Sequence, residues 1–354
     1  DASRVLKEFT YGSSGVAAGK LTLARRHNRT AYGDEVVEER YTYGGRGGRL
    51  SQKQTILGLR YPAVEARSYT QTYTWDELGN VVALAYPDDA ALAEPARTVG
   101  LTYSQGYLIA VPGFITSQSY HPNGMVAQRV LANGVREEYG LNADAMARWG
   151  RMRVFSPANQ QLWDSGSYEY DGAGNIKAMV RSVADKDSYS YDLVSRLVLA
   201  NFKAGGNAKQ AQFTYDEAGN LKGETTTDYG TRQFAVDASR NRISGCGYDG
   251  AGRVTSCGGL SFSWSALGEL FGVQGTGINR SFLYTADGER IAVRNHLGGT
   301  AAVFLRDLGG NPLRVYLRTS TGSWSWSRDD VWVGRERVAS VYASGVQYVH
   351  SDHL

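Results

Sequence analysis

Asp171, Asp216 and Asp249 each stand three residues ahead of a glycine (Gly174, Gly219 and Gly252), and regularly placed carboxylates invite a test for catalysis or metal binding. Glycoside cleavage needs two carboxyl groups about 5–9.5 Å apart across one bond. Calcium needs several oxygens converging within one loop. Asp-x-x-Gly supplies a single carboxylate per unit, and the next lies roughly twenty residues on. The weight therefore falls on a structural role, in which aspartate accepts backbone N–H groups two or three residues ahead and closes a turn.

Other chemistry-bearing residues fare similarly. His350, Asp352 and His353 could suggest a metal site, but in a strand 350 and 352 share a face while 353 points away. Gly19-Lys20 fails as a phosphate loop, because Ser14 stands where a glycine is required and Leu21 replaces Ser or Thr. Gly275-Thr276-Gly277 lacks its third glycine, since Arg280 occupies that position. Trp324, Trp326 and Trp332 could form a sugar-stacking platform; Trp324 and Trp326 alternate with serines, and the reading favoured is that their shared face points inward. Cys246 and Cys257 are the only cysteines. Pairing Asp249 with Val254 across the turn between them gives an index sum of 503, and 246 plus 257 gives the same sum. The two thiols can therefore face each other, as a disulfide or as reduced core thiols, and a one-residue change of register would separate them. No cofactor, metal ligand or catalytic residue is assigned.

The elements that must carry these residues are written as a repeat. Tyr170-Asp171-Gly172-Ala173-Gly174-Asn175-Ile176, Tyr215-Asp216-Glu217-Ala218-Gly219-Asn220-Leu221 and Tyr248-Asp249-Gly250-Ala251-Gly252-Arg253-Val254 are clear copies. Trp75-Asp76-Glu77-Leu78-Gly79-Asn80-Val81 is the same unit with tryptophan first. Tyr191-Asp192-Leu193-Val194-Ser195-Arg196-Leu197 and the stretch from Val236-Asp237 to Ile243 are degenerate copies, and weaker echoes begin at Trp264, Tyr284 and Asp307. The aromatic residue favours a pleated surface, the glycine supplies positive φ, and the aliphatic residue opens the return strand. Repeated strand-turn-strand units cannot bury an apolar face alone and must stack side by side. The expected fold is all-β: repeated hairpins forming a continuous, curved antiparallel sheet. Asp88 to Arg97 is the best short helical candidate, and residues 86–114 form an irregular insertion with three prolines. The division expected is 1–67 as divergent β-rich repeats, 68–340 as regular repeats and 341–354 as the start of a following segment, with no linker between two folding units.

Composition agrees. Hydrophobic residues make up 42% of 354, too many for a disordered chain. Forty-three glycines against seven prolines point to tight turns, and 23 tyrosines outnumber phenylalanine and tryptophan together, as half-wet sheet surfaces demand. A net charge of +3 without a run of five basic residues lacks the footprint of a nucleic-acid binder. No stretch approaches the ~20 apolar residues of a membrane-spanning helix. The first residue is Asp1 and no leader follows, so a segment upstream is expected.

The Tyr-Asp-x-x-Gly-(Asn/Arg)-aliphatic units resemble the YD repeats of the Rhs family, shared with the TcC subunits of insecticidal toxin complexes and with teneurins. Tyr348-Val349-His350-Ser351-Asp352-His353-Leu354 is similar to the segment that opens the Rhs-associated core, and it follows Asp330-Val331-Trp332-Val333-Gly334 as in that family. The resemblance covers residues 68–354 well and 1–67 loosely. It implies a β-sheet that spirals into a hollow shell around a C-terminal toxin domain of the same polypeptide. It further implies a secreted or cell-surface setting, delivery to competing or host cells as in type VI secretion and interbacterial competition, and contacts with secretion-apparatus or toxin-complex subunits. The family's aspartyl self-cleavage motif contains Asp-Pro, a dipeptide absent here, so no catalytic aspartate carries over and the chain is read as a wall without enzymatic activity. The rival implied by teneurin-like relatives is a cell-surface adhesion or glycan-binding protein, which would present an exposed aromatic patch.

Overall fold

The computed structural model describes all residues except 1–4, 61–63, 93, 145, 205–206 and 352–354. The described residues contain antiparallel strands and two short 3-10 turns, Gly15–Ala17 and Arg46–Gly48, with no α-helix. The fold is all-β and built from repeated hairpins. Each strand pairs with its neighbours in sequence, without crossovers, as β-rich runs separated by glycine turns require. The ladders comprise seven strands over 7–100, five over 115–164, seven over 167–233 and eleven over 247–348, with two-stranded pairs at 102–110 and 236–243. Between the five-stranded and the following seven-stranded ladder the chain bends at Ser165-Gly166, where Gly166 adopts φ +79°.

Two of the expected boundaries fall inside strands: 67/68 lies within Glu65–Trp75 and 340/341 within Glu336–Tyr342. The chain instead forms two compact units, Asp1–Phe114 with Tyr248–His350, and Ile115–Gly247 with Ser351–Leu354. A sequence pattern that speaks only of adjacent strands contains no record of which distant strands meet face to face. The helix expected over Asp88–Arg97 is not formed. Strand Val81–Asp88 runs into it, and Asp89 then closes a turn: its N–H donates to Glu94 Oε1 (2.8 Å) and its Oδ1 accepts from Ala91 N–H (2.9 Å). Pro95 lies inside this stretch, where it removes a helical N–H and disfavours helix for the residue before it.

In the first unit two sheets pack face to face. Val37, Leu57, Leu59 and Tyr69 of the seven-stranded sheet meet Leu283, Ile291, Val303, Leu305, Tyr316 and Trp324 of the eleven-stranded sheet. Polar groups join the same two layers. The Asn28 side chain behaves as a piece of strand, donating to Tyr284 O (2.9 Å) and accepting from Tyr284 N–H (3.0 Å). Arg294 forms a two-pronged pair with Glu35, both fully buried. Asp329 receives Arg314 at 2.6 Å and Arg97 at 2.5 Å, and Tyr86 Oη donates to Asp330 O (2.8 Å). Burying such ions is costly unless every lone pair and proton finds a partner. The second unit has a core of Ile115, Leu131, Tyr139, Met152, Val154, Tyr168, Ala178, Ala200 and Ala211. There Arg129 is buried against Gln118 (2.8 Å) and Glu137 (3.3 Å), and Tyr139 Oη donates to Glu137 (2.9 Å).

Candidate functional site: a comb of stitched turns

Six of the repeat aspartates lie in turns with one backbone closure, while Asp237 shows only half of it, Arg240 N–H donating to Asp237 O (3.3 Å). The N–H of the first residue donates to the carbonyl four residues on, and the N–H three residues on donates back. In the Asp171 turn these bonds are Asp171 N to Asn175 O (2.9 Å) and Gly174 N to Asp171 O (3.1 Å). Asp76, Asp192, Asp216, Asp249 and Asp307 show the same pair. The carboxylate completes the closure: Asp171 Oδ1 accepts from Ala173 N and Asn175 N, both 2.9 Å, and Oδ2 accepts from Asn175 Nδ2 (2.9 Å). Asp192 and Asp249 receive an arginine Nε instead, from Arg196 and Arg253, each at 2.6 Å. The glycine three residues on sits at φ +80° to +94° in the Asp76, Asp171, Asp216 and Asp249 turns (Gly79, Gly174, Gly219, Gly252). Ser195 holds that slot in the Asp192 turn at φ +62°. Leaving the turn, the ladder shifts by one residue: Tyr215 pairs with Leu221, then Thr214 with Gly223. The extra residue is a bulge of the kind glycine hairpins carry.

Those hydrogen bonds set the electrostatics. The side-chain N–H groups of Asn80, Asn175 and Asn220 hold Asp76, Asp171 and Asp216 below the ordinary carboxylate range, with backbone N–H groups adding to the effect. For Asp192 and Asp249 the backbone N–H of Arg196 and Arg253 leads. Ionised, with their lone pairs committed, these carboxylates have no proton to donate and are poor bases. Their chemistry is turn closure.

The aromatic residue that opens several of these turns does a second job. Tyr191 Oη donates to Ile176 O (2.9 Å) and Tyr215 Oη to Leu197 O (3.0 Å). Trp264 Nε1 donates to Val254 O (2.7 Å), and Trp332 Nε1 to Pro312 O (2.7 Å). Except for Pro312, the acceptor is the aliphatic residue that leaves the preceding YD-type turn, and Pro312 stands in the same place after Asn311. These hairpins are therefore stitched to the ones before them. The residue four after the aspartate stitches forward. Arg196 stacks over the Tyr215 ring (4.8 Å to its centroid) and donates to Asp216 O (3.0 Å), while Arg253 stacks over Trp264 (5.8 Å) and donates to Ser265 O (3.1 Å). Asn175 reaches Ser195 Oγ (3.1 Å) and Asn311 reaches Gly334 O (3.0 Å).

No family model matches the sequence. A crystal structure of TcdB2-TccC3-TEV superposes with TM-score 0.75 at 17% identity, over 99% of this chain and 20% of that one. The TcdB2-TccC3-Cdc42 crystal structure gives TM-score 0.71 at 17% identity, over 98% and 22%. The fold is that of the TcdB2-TccC3 toxin assemblies. Double-stranded DNA deaminase toxin A of Burkholderia cenocepacia (strain H111) is 25% identical over 312 residues, 83% of this chain and 20% of that protein. The chain thus spans about a fifth of the length of the toxin proteins it matches, and the likeness to an Rhs/YD-repeat protein read from the residues stands on this toxin-complex fold.

Against the TcdB2-TccC3 fold the remaining residues find their places. Trp324 is buried between the sheets and donates to Glu65 (3.0 Å); Trp326 packs against the same core and donates to Asp329 (2.9 Å). Trp332 is one of the stitches. Cys246 and Cys257 are both disulfide-bonded. Among the described residues no group of three His, Cys, Asp or Glu converges as a metal site, and of the His350 cluster Asp352 and His353 lie outside the described residues. Turns that the Tyr-Asp pattern does not mark have the same backbone closure at His121, Leu131, Ser156 and Thr319. Their signal was a glycine or asparagine three residues on: Gly124, Gly134, Asn159 and Gly322.

Proposed function

We propose that this chain is a wall segment of a container that sequesters a polypeptide cargo, the C-terminal toxin domain of the same protein, until delivery to a competing or host cell. The observation that carries this reading is the stitched comb. Hairpins linked to their neighbours, as Tyr191 links to Ile176, Tyr215 to Leu197 and Trp264 to Val254, with the repeat aspartates committed to turn closure, are what a durable wall requires. The likeness to TcdB2-TccC3 assemblies and to a deaminase toxin supports a toxin context. In this reading the chain has no catalysis of its own, is exported, and meets secretion-apparatus or toxin-complex subunits through its parent. The tryptophan pair Trp324 and Trp326 does not support adhesion, since it packs between sheets and not on a glycan-facing surface.

The test is limited proteolysis of the full-length parent protein. The expected result is a C-terminal segment that survives protease while attached and inside the wall, and is cleaved rapidly when produced alone. Equal cleavage rates in the two settings would overturn the container reading.

A further inference from the structure

Among the described residues, none from Glu224 to Ser281 is buried, whereas Ala200 and Ala211 before this stretch and Phe282, Leu283 and Tyr284 after it are. The strands in its middle are short. Val236–Asp237, Arg242–Ile243 and Gly247–Tyr248 have two residues each, and Val254–Cys257 has four. Local opening is easiest where both apolar burial and a long ladder are lacking. The hydrogen bonds of the Asp249 turn and from Trp264 to Val254 O hold the hairpin there, but on a half-wet surface each contributes little net.

One covalent tie crosses this hairpin. Cys246 and Cys257 are both disulfide-bonded and are the only cysteines of the chain, so they are joined to each other around the Asp249 turn. Both are half-buried, and the space beside them is open. A Cβ built on Gly245, Gly258 or Gly259 would meet no heavy atom within 4 Å outside its own chain neighbours. The bond therefore lies where a small thiol can approach it from solvent.

We infer that the Cys246–Cys257 disulfide is a reductive latch: intact, it closes the hairpin from Cys246 to Cys257, and cut by a dithiol it lets that hairpin open while the packed sheets of the first unit persist. The step is thiol–disulfide exchange. A thiolate of the dithiol attacks one cysteine sulfur and releases the other as a thiolate, which takes a proton from water. The second thiol of the reductant then attacks the mixed disulfide, leaves as its own cyclic disulfide and frees the remaining cysteine. Two electrons pass to the cysteines, and the dithiol is oxidised. Disulfides persist outside cells and are reduced in the cytosol. The latch is then closed before delivery and open after it, a use that rests on the container reading, whereas the latch itself rests on these residues alone.

The experiment follows hydrogen exchange by mass spectrometry in the full-length protein, before and after the folded protein is treated with dithiothreitol. Loss of a cross-link that closes so short a loop should raise exchange over residues 246–257 about a hundredfold. Strands Gly33–Gly45, Arg49–Leu59 and Pro312–Arg318 should keep their protection. Cys246→Ser combined with Cys257→Ser should exchange fast with or without dithiothreitol, which assigns the effect to this bond. Where that variant does not fold, reduction of the folded parent carries the test alone. The inference fails if dithiothreitol does not cut the bond in the folded protein, if exchange over 246–257 is unchanged once it is cut, or if every strand loses protection at once. Protease digestion separates the latch from its use. A C-terminal segment protected before reduction and cleaved after it supports release, and one protected in both states overturns it. Rapid cleavage before reduction overturns the container reading and leaves the exchange result to decide the latch.

Discussion

The pairing of Glu35 with Arg294 offers a sharp test of the two-layer packing. Arg294 Nη1 approaches Glu35 Oε2 at 2.5 Å, and Glu35 Oε1 also accepts the Arg60 N–H at 2.6 Å. Both side chains are essentially inaccessible, 1% and 0% exposed. They reside on different sheets, so they are buried only because the sheets meet. Replacing Arg294 with methionine keeps the volume but strands a carboxylate in the interior. Removing one partner of such a pair costs about 3–5 kcal/mol, whereas replacing both with apolar residues is often close to neutral. Glu35→Leu with Arg294→Met should therefore lose far less than the sum of the single changes. A penalty of about 1 kcal/mol remains for the Arg60 N–H left without its acceptor. Urea denaturation followed by tryptophan fluorescence reads this packing, because Trp324 and Trp326 lie in it. A cost for Arg294→Met below about 1 kcal/mol, the range of exposed ion pairs, would show that the two sheets do not enclose this pair.

The stitches predict that Tyr191→Phe and Tyr215→Phe each cost about 1 kcal/mol in urea melts, because only the hydroxyl that reaches the preceding turn is lost. Equal stability of the two variants and the parent would remove the stitch. Gly219 and Ser195 occupy the same turn slot with φ +88° and +62°, so Gly219→Ala should destabilise by about 1–2 kcal/mol and Ser195→Gly should stabilise. His27 is held between Asp34 (2.6 Å) and Glu8 (2.7 Å); burial opposes its charge, but the two acceptors outweigh that and raise its pKa. Its contribution is thus complete below about pH 6.5 and is lost as pH rises through the raised folded value, so His27→Gln should flatten the difference in melting temperature between pH 6 and pH 8.5. A Cys246–Cys257 cross-link is expected from peptide mapping without reductant, and recovery of both cysteines alkylated in the unreduced protein would count against it.

The repeat was legible because its turn is local: aspartate, glycine and the aliphatic exit all act within seven residues. The index arithmetic used for the cysteines passes over a bulge that the sequence hides. In the Asp216 hairpin the turn closes on Asn220, one residue earlier than the pairing assumed, and the bulge restores the sum further along: 214 plus 223 equals 216 plus 221. The work of the tyrosine was not legible, since its partner is the carbonyl of Ile176 or Leu197 in the previous unit, and a carbonyl leaves no mark on residue type. Turns at Ser156 and Thr319 escaped notice because hydroxyls replaced the carboxylate while the backbone closure stayed the same. Nothing in the residue types of Arg26 and Glu35 marks them as interior. Only the distant strand beyond residue 264 makes them interior.

Two ranges of contact therefore share this chain, and they use different chemistry. Neighbouring hairpins are joined by backbone ladders, hydroxyl and indole stitches and arginine stacking, all within about twenty residues. These can form early, since closing a short loop costs little entropy. The face-to-face packing of the first unit instead joins Asn28 to Tyr284 and Glu35 to Arg294, more than two hundred residues apart. Apolar burial alone would tolerate several alignments of two pleated faces. A guanidinium that must meet one carboxylate, and an asparagine that must read one backbone position, tolerate a single alignment. The ionic contacts thus act on the register of the two sheets, and the aspartate turns on the making of each hairpin. Two sheets that close only when their charges match meet in one geometry.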